Sequence, residues 1–126
     1  MIKRVLVVDD SEATRSMIVS CLEDPDRIEV FEAASGFEAL RLLPRHHFDA
    51  IVTDINMPDI NGLELIGFLK NHPQYRSIPI LVVSTEVAED DVKRALALGS
   101  EEYVKKPFAP EVMSSAVERL LAKNSG

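Results

Sequence analysis

The chain predicts an α/β fold with a parallel sheet covered by helices on both faces. Three observations carry this. Strand-like and helix-like periods alternate five times along 126 residues. The central strand-like runs, Val5-Leu6-Val7-Val8 and Ile78 to Val83, are continuously apolar, as strands buried on both faces should be. No repeat, low-complexity segment or linker interrupts the pattern before the last few residues, so one domain spanning 1–126 is expected.

The elements follow in order. The first strand (β1) covers roughly Arg4 to Val8. The first helix (α1) starts near Ser11, a plausible cap, with Ala13, Met17, Ile18, Cys21 and Leu22 on one face. The second strand (β2), Ile28 to Ala33, is the most polar and suits a sheet edge. The second helix (α2) begins near Ser35-Gly36, carries Ala39, Leu40 and Leu43 inward, and ends about Pro44. The third strand (β3) runs Asp49 to Thr53. After the loop 58–62, the third helix (α3) turns Leu65, Ile66 and Leu69 inward and closes before Pro73. The fourth strand (β4) is Ile78 to Val83. The fourth helix (α4) runs from about Ala88 to Leu98, with Val92, Ala95 and Leu96 inward and Gly99 as its stop. The fifth strand (β5) is Glu102 to Lys105. The last helix (α5), Pro110 to about Ala122, buries Val112 or Met113 with Ala116, Val117, Leu120 and Leu121.

Composition excludes several function classes. The net charge of −7 opposes direct binding to nucleic acid, whose phosphates recruit basic patches. Cys21 is the single cysteine, so neither an intrachain disulfide nor a cysteine-based zinc cluster is available, and a buried inert thiol is expected. No apolar run reaches transmembrane length, and Met1-Ile2-Lys3-Arg4 carries no signal-peptide pattern, so a cytoplasmic protein with no membrane contact is expected.

Ligands of open parallel sheets bind at the carboxyl ends of strands. That is where this chain gathers its chemistry. β1 runs directly into Asp9-Asp10, and β3 stops at Asp54-Ile55-Asn56-Met57-Pro58. A carboxylate at the mouth of a buried strand is desolvated at a cost, so it needs a partner, a metal or a reaction. Ser84-Thr85 follow β4, and Lys106-Pro107 follow β5. Hard oxygen donors suit Mg²⁺, which keeps waters and shares its site with phosphate. Lys106 and the ion would neutralise a phosphoryl group, a Ser84 hydroxyl would bond one of its oxygens, and Asp54 would accept it as an aspartyl phosphate. Each residue also has a plainer reading. Asp9 would cap α1 beside a solvated Asp10, Lys106 would be a surface lysine, Ser84 and Thr85 would cap α4, and Tyr103 would be a half-buried strand aromatic. His46, His47 and His72 fall near loops, read as solvated, and give no metal site.

Taken together, Val5-Leu6-Val7-Val8-Asp9-Asp10, Asp54, Ser84 and Lys106-Pro107-Phe108 resemble the receiver domain of two-component response regulators. The similarity is strongest to the CheY-like single-domain chemotaxis group and covers essentially the whole chain. The resemblance implies the strand order 2-1-3-4-5 of the flavodoxin/CheY-like fold. It implies Asp54 as phosphoacceptor, with Asp9, Asp10, Asp54 and the backbone carbonyl of Asn56 around Mg²⁺. It also implies Lys106 as the phosphate-binding lysine before a cis proline bond, Ser84 as the switch hydroxyl and Tyr103 as the switch aromatic. The partner would be a sensor histidine kinase or phosphotransfer protein, and the protein would signal without being an enzyme in its own right. Output would pass through the α4-β5-α5 face, which carries Glu89, Asp90, Lys93, Arg94 and Glu101. A monomer is expected, with the same face available to a dimer.

Two departures stand out. Thr85 replaces the small residue common after the switch hydroxyl, and Ile55 leaves the acceptor without a neighbouring tryptophan, a residue the chain lacks altogether. Other architectures fit less well. A flavodoxin-like binder wants a hydroxyl- and glycine-rich loop after β1, where Asp9-Asp10-Ser11-Glu12 would repel phosphate. No nucleotide P-loop or dinucleotide G-x-G-x-x-G pattern exists. A haloacid-dehalogenase-type phosphatase needs a second aspartate where Ser11 stands. A pseudo-receiver, folded alike but never phosphorylated, is the remaining alternative.

Overall fold

The computed structural model describes residues 2–22, 24–85 and 89–124. β1 (Lys3–Val8), β2 (Ile28–Ala33), β3 (Ala50–Asp54), β4 (Ile80–Ser84) and β5 (Glu102–Lys105) form one parallel sheet in the order β2-β1-β3-β4-β5. α1 (Glu12–Cys21), α2 (Gly36–Leu42), α3 (Gly62–Asn71), α4 (Glu89–Leu98) and α5 (Pro110–Asn124) complete the chain. The expected fold class and strand order both hold. Ala88, taken as the start of α4, lies outside the described residues.

The apolar strands divide their side chains by parity. Leu6 and Val8, Ile51, and Ile80 and Val82 enter one core with α2, α3 and α4. Val5 and Val7, Ala50 and Val52, and Leu81 and Val83 enter the other with α1 and α5. Successive strand residues point to opposite faces, so a strand covered on both sides must be apolar at every position. That is why β1, β3 and β4 lack alternation, and why the more polar β2 lies at an edge.

Three inward assignments differ from expectation. Met17 is 52% exposed and Ala13 is also exposed, because α1 packs through Ile18 and Leu22, four residues apart. Residues 13 and 17 form the adjoining stripe, one residue or about 100° round the helix. Leu96 is 45% exposed, because α4 faces the core through Val92 and Ala95. Of the pair left open on α5, Met113 is buried and Val112 is exposed. Cys21 is half-buried rather than buried, and burial pushes its thiol pKa up, with Glu111 adding to the shift. Two histidines are not simply solvated. His46 is half-buried with its ring 4.4 Å from Phe31, and His72 stacks on Tyr75 at 4.4 Å.

Caps fix the loops that lead to the carboxyl ends. Ser11 accepts the Thr14 N–H and Ser35 accepts the Glu38 N–H. Asn61 and Glu64 form a full capping box at the start of α3. After α2 the chain tightens into a short 3-10 turn over Leu43–Arg45, with Pro44 at its start. Gly99 ends α4 at φ +121°, a conformation that L side chains rarely adopt.

Candidate phosphoacceptor site

Strand register places the acidic residues side by side. Val8 pairs with Thr53 and Asp54 with Val83, so the chain leaving β1 at Asp9 lies beside the end of β3. One carboxylate oxygen from each of Asp9, Asp10 and Asp54 falls within 4.8 Å of the others. Asp9 is fully buried, Asp54 nearly so, and Asp10 is exposed.

Lys106 reaches into this cluster from the end of β5. Its Nζ lies 3.1 Å from Asp9 Oδ2 and 3.5 Å from Asp54 Oδ1. The Lys106 N–H donates to the Ser84 carbonyl at 2.6 Å, which ties the ends of β4 and β5 together. The Lys106-Pro107 peptide bond is cis, as the resemblance implied. Ser84 is buried, and its hydroxyl donates to the Thr85 carbonyl at 3.2 Å rather than to Asp54. Asn56 is exposed just past the strand. Tyr103 is half-buried against the core beneath α3 and α4.

Local bonds set the orientation of each acid. Asp9 Oδ1 accepts the Ser11 N–H at 2.9 Å, so the carboxylate caps the turn into α1 with one oxygen and meets Lys106 with the other. Asp54 Oδ1 accepts the Ile55 N–H at 2.8 Å, which fixes the carboxylate plane. The pKa of Asp54 is raised. Burial is the main cause, Asp9 adds to it, and the Lys106 charge and the Ile55 N–H only partly offset the rise.

Two contributors escaped the sequence reading. A Cβ on Gly62 would fall 2.2 Å from the Asp54 carbonyl oxygen and 2.8 Å from Ile55 Cα, while the Gly62 N–H donates to Ile55 O at 2.7 Å. α3 therefore starts in direct contact with the backbone of Asp54 and Ile55. Arg15 donates to the Asp9 carbonyl at 2.8 Å and to Glu32 at 3.0 Å, holding the β1–α1 turn against the β2 edge. The Asn61-x-x-Glu64 spacing was a readable cap signal. Nothing local marked Arg15 or the packing of Gly62.

The sequence pattern of the response regulator receiver domain matches residues 5–118. The chain belongs to the response regulator receiver domain family. Among relatives of this receiver domain, the chemotaxis protein CheY homolog of Campylobacter jejuni is 38% identical over 124 residues, covering 98% of this chain and 95% of that protein. CheY of Pseudomonas aeruginosa is 32% identical over 123 residues, covering 98% and 99%. The solved chemotaxis response regulator CheY4 of Vibrio cholerae matches with a TM-score of 0.86 at 35% identity, covering 95% of this chain and 99% of that one. The acid cluster at the strand ends of this receiver domain is the arrangement of a Mg²⁺-assisted phosphorylation site. Among the described residues, no helix is long and apolar enough to cross a membrane.

Proposed function

We propose that Asp54 takes a phosphoryl group from a phosphohistidine on a sensor histidine kinase or phosphotransfer protein, and that residues 1–126 act as one receiver unit. The observation that carries this reading is Lys106 Nζ lying between Asp9 and Asp54, in a cluster that still holds more acid than base. Three carboxylates facing one ammonium are unbalanced as a structural salt bridge. They suit a place where a cation and a phosphoryl group meet.

The donor set fits Mg²⁺, because every candidate side-chain ligand is a hard carboxylate oxygen and the atoms converge within 4.8 Å. Asp9, Asp10 and Asp54 would hold the ion, with the Asn56 carbonyl as a further ligand. When bound, it supplies positive charge against the incoming phosphoryl oxygens. The rest is the work of the chain. An Asp54 carboxylate oxygen forms the new P–O bond as the P–N bond to the donor imidazole breaks. The imidazole nitrogen keeps the electron pair and is protonated from solvent. Lys106, already 3.5 Å from Asp54, neutralises a phosphoryl oxygen. Burial of Asp54 excludes competing water around the nucleophile.

Phosphorylation replaces one negative charge with about two and adds strong acceptor oxygens. The Ser84 hydroxyl would leave the Thr85 carbonyl for one of them, drawing the segment after β4 toward the site. Tyr103, half-buried on β5, would then turn inward and alter the α4-β5-α5 face read by a downstream protein. The protein acts as a cytoplasmic monomeric switch rather than as an enzyme with a separate substrate, although the same groups assist its own phosphorylation and dephosphorylation.

The test is intact-mass measurement after incubation with Mg²⁺ and acetyl phosphate. One added phosphoryl group is expected, absent in Asp54→Asn and in EDTA. No adduct from any phosphodonor would favour a pseudo-receiver.

A further inference from the structure

At the opposite end of the sheet, beside the amino ends of β1, β3 and β4, lies a cavity of about 350 Å³. Its position is set by Arg4, Phe48 and Ile78, which enter or precede those strands. Six residues of chain separate Phe48 from Asp54, or about 20 Å at the rise of a strand. The two sites are thus distinct.

The lining runs against the charge of the whole molecule. The chain has 21 acidic and 14 basic residues, yet the cavity is lined by Arg4, Arg45, His46 and His47 and by no carboxylate. Two acids outside the lining pair with part of it. Glu29 meets Arg4 through Nε at 3.2 Å, and Asp49 Oδ2 accepts the Arg4 backbone N–H at 2.8 Å. His47 lies 3.7 Å from Asp49 Oδ1. Arg45 is exposed, and among the described residues it enters no ion pair. The remaining wall adds apolar and aromatic surface from Phe48 and Tyr75.

We propose that this cavity binds a small organic phosphate with a planar ring, of the size of a nucleoside monophosphate. Guanidinium forks match phosphate oxygens in pairs, which an ammonium does not do, and two of them border the cavity. The volume is at the small end of the range for small-molecule sites, about 300–1,000 Å³, and so admits one ring and one phosphate rather than a larger cofactor. Tyr75, stacked on His72, and His46, packed against Phe31, border the cavity with aromatic rings, and Ser77 and Gln74 add polar groups. The inference does not rest on the phosphoacceptor reading, since no residue is shared.

The test is a titration of ¹⁵N-labelled protein with AMP, inorganic phosphate and adenosine, without Mg²⁺, followed by amide chemical shifts. AMP should saturate with shifts confined to 43–48 and 74–78, bind about tenfold more tightly than inorganic phosphate, and far outcompete adenosine. Arg45→Glu, an exposed substitution whose fold the same spectra verify, should weaken AMP by at least about tenfold. Asp54→Asn should leave the titration unchanged. The proposal is overturned by the absence of saturable shifts, by shifts centred on Asp54 and Lys106, or by AMP binding no better than phosphate or adenosine. Undiminished AMP binding by Arg45→Glu would overturn it too.

Discussion

Lys70 and Lys106 are both largely buried lysines facing carboxylates, and they are wired differently. Lys70 Nζ sits 2.9 Å from Glu101 Oε2 and also donates to the carbonyls of Ile78 at 3.1 Å and Arg76 at 3.4 Å. The other Glu101 oxygen accepts the Ile80 N–H at 2.9 Å. One acid meets one base, the hydrogen bonds are filled, and α3 is clamped to the start of β4. Lys106 instead faces Asp9 and Asp54, with Asp10 close by. Its cluster carries surplus negative charge, and Asp54 is pushed up in pKa by burial with Lys106 only partly compensating. A balanced pair at one end of the sheet serves the fold. An unbalanced cluster at the other end keeps capacity for a cation and a phosphoryl group.

The two lysine clusters should differ most at Asp54. Asp54→Asn should abolish the phosphoryl adduct entirely while Glu101→Ala leaves it intact, as intact-mass spectra would show. Next comes the backbone contact beneath Asp54. Gly62→Ala drives a Cβ into the Asp54 carbonyl and should cost about 3 kcal/mol in urea unfolding, with slower phosphorylation. Glu101→Ala removes the balanced pair and leaves the Lys70 ammonium and Ile80 N–H without it. A loss of about 2 kcal/mol is expected, since the pair is partly solvated.

A smaller effect has the opposite sign. Because the folded-state pKa of Asp54 is raised, the native state binds a proton more readily than the unfolded chain. Metal-free stability therefore falls as pH rises from the ordinary carboxylate range through the folded value, and stays lowered above it. Asp54→Asn should stabilise the metal-free protein at neutral pH by on the order of 1 kcal/mol, with the gain shrinking on acidification. Thermal melts at several pH values would read it, and a constant gain across that range would contradict the burial argument.

The smallest effect belongs to an exposed network. Burial alone would raise the Glu102 pKa, but hydrogen bonds and charge from Arg119 and Lys123 outweigh it and hold the carboxyl below its usual range. That contribution is present above the unfolded value and is lost as pH falls through the folded one. Arg119→Ala should cost no more than about 0.5 kcal/mol at neutral pH, because the guanidinium is mostly solvated.

Much of this was legible because it depends on local pattern. Continuous apolar runs marked strands covered on both faces, and caps such as Ser11 marked helix starts. Asp9, Asp10, Asp54, Ser84 and Lys106 announced themselves by ending strands, since a charge beside a buried run demands an explanation. Helix faces were less secure. Met17, Leu96 and Val112 are apolar yet exposed, because a neighbouring stripe about 100° away fits the sheet better.

Periodicity along one chain was enough to read the alternation of elements, the both-faces burial of the central strands and the carboxyl-end placement of the acids. Packing between elements, by contrast, sets Lys106 between Asp9 and Asp54, seats Gly62 on the Asp54 backbone, lets Arg15 hold the Asp9 turn, and gathers basic groups at the far end of the sheet. Those contacts join residues from different elements, and their distances follow from strand register and helix packing rather than from any local spacing.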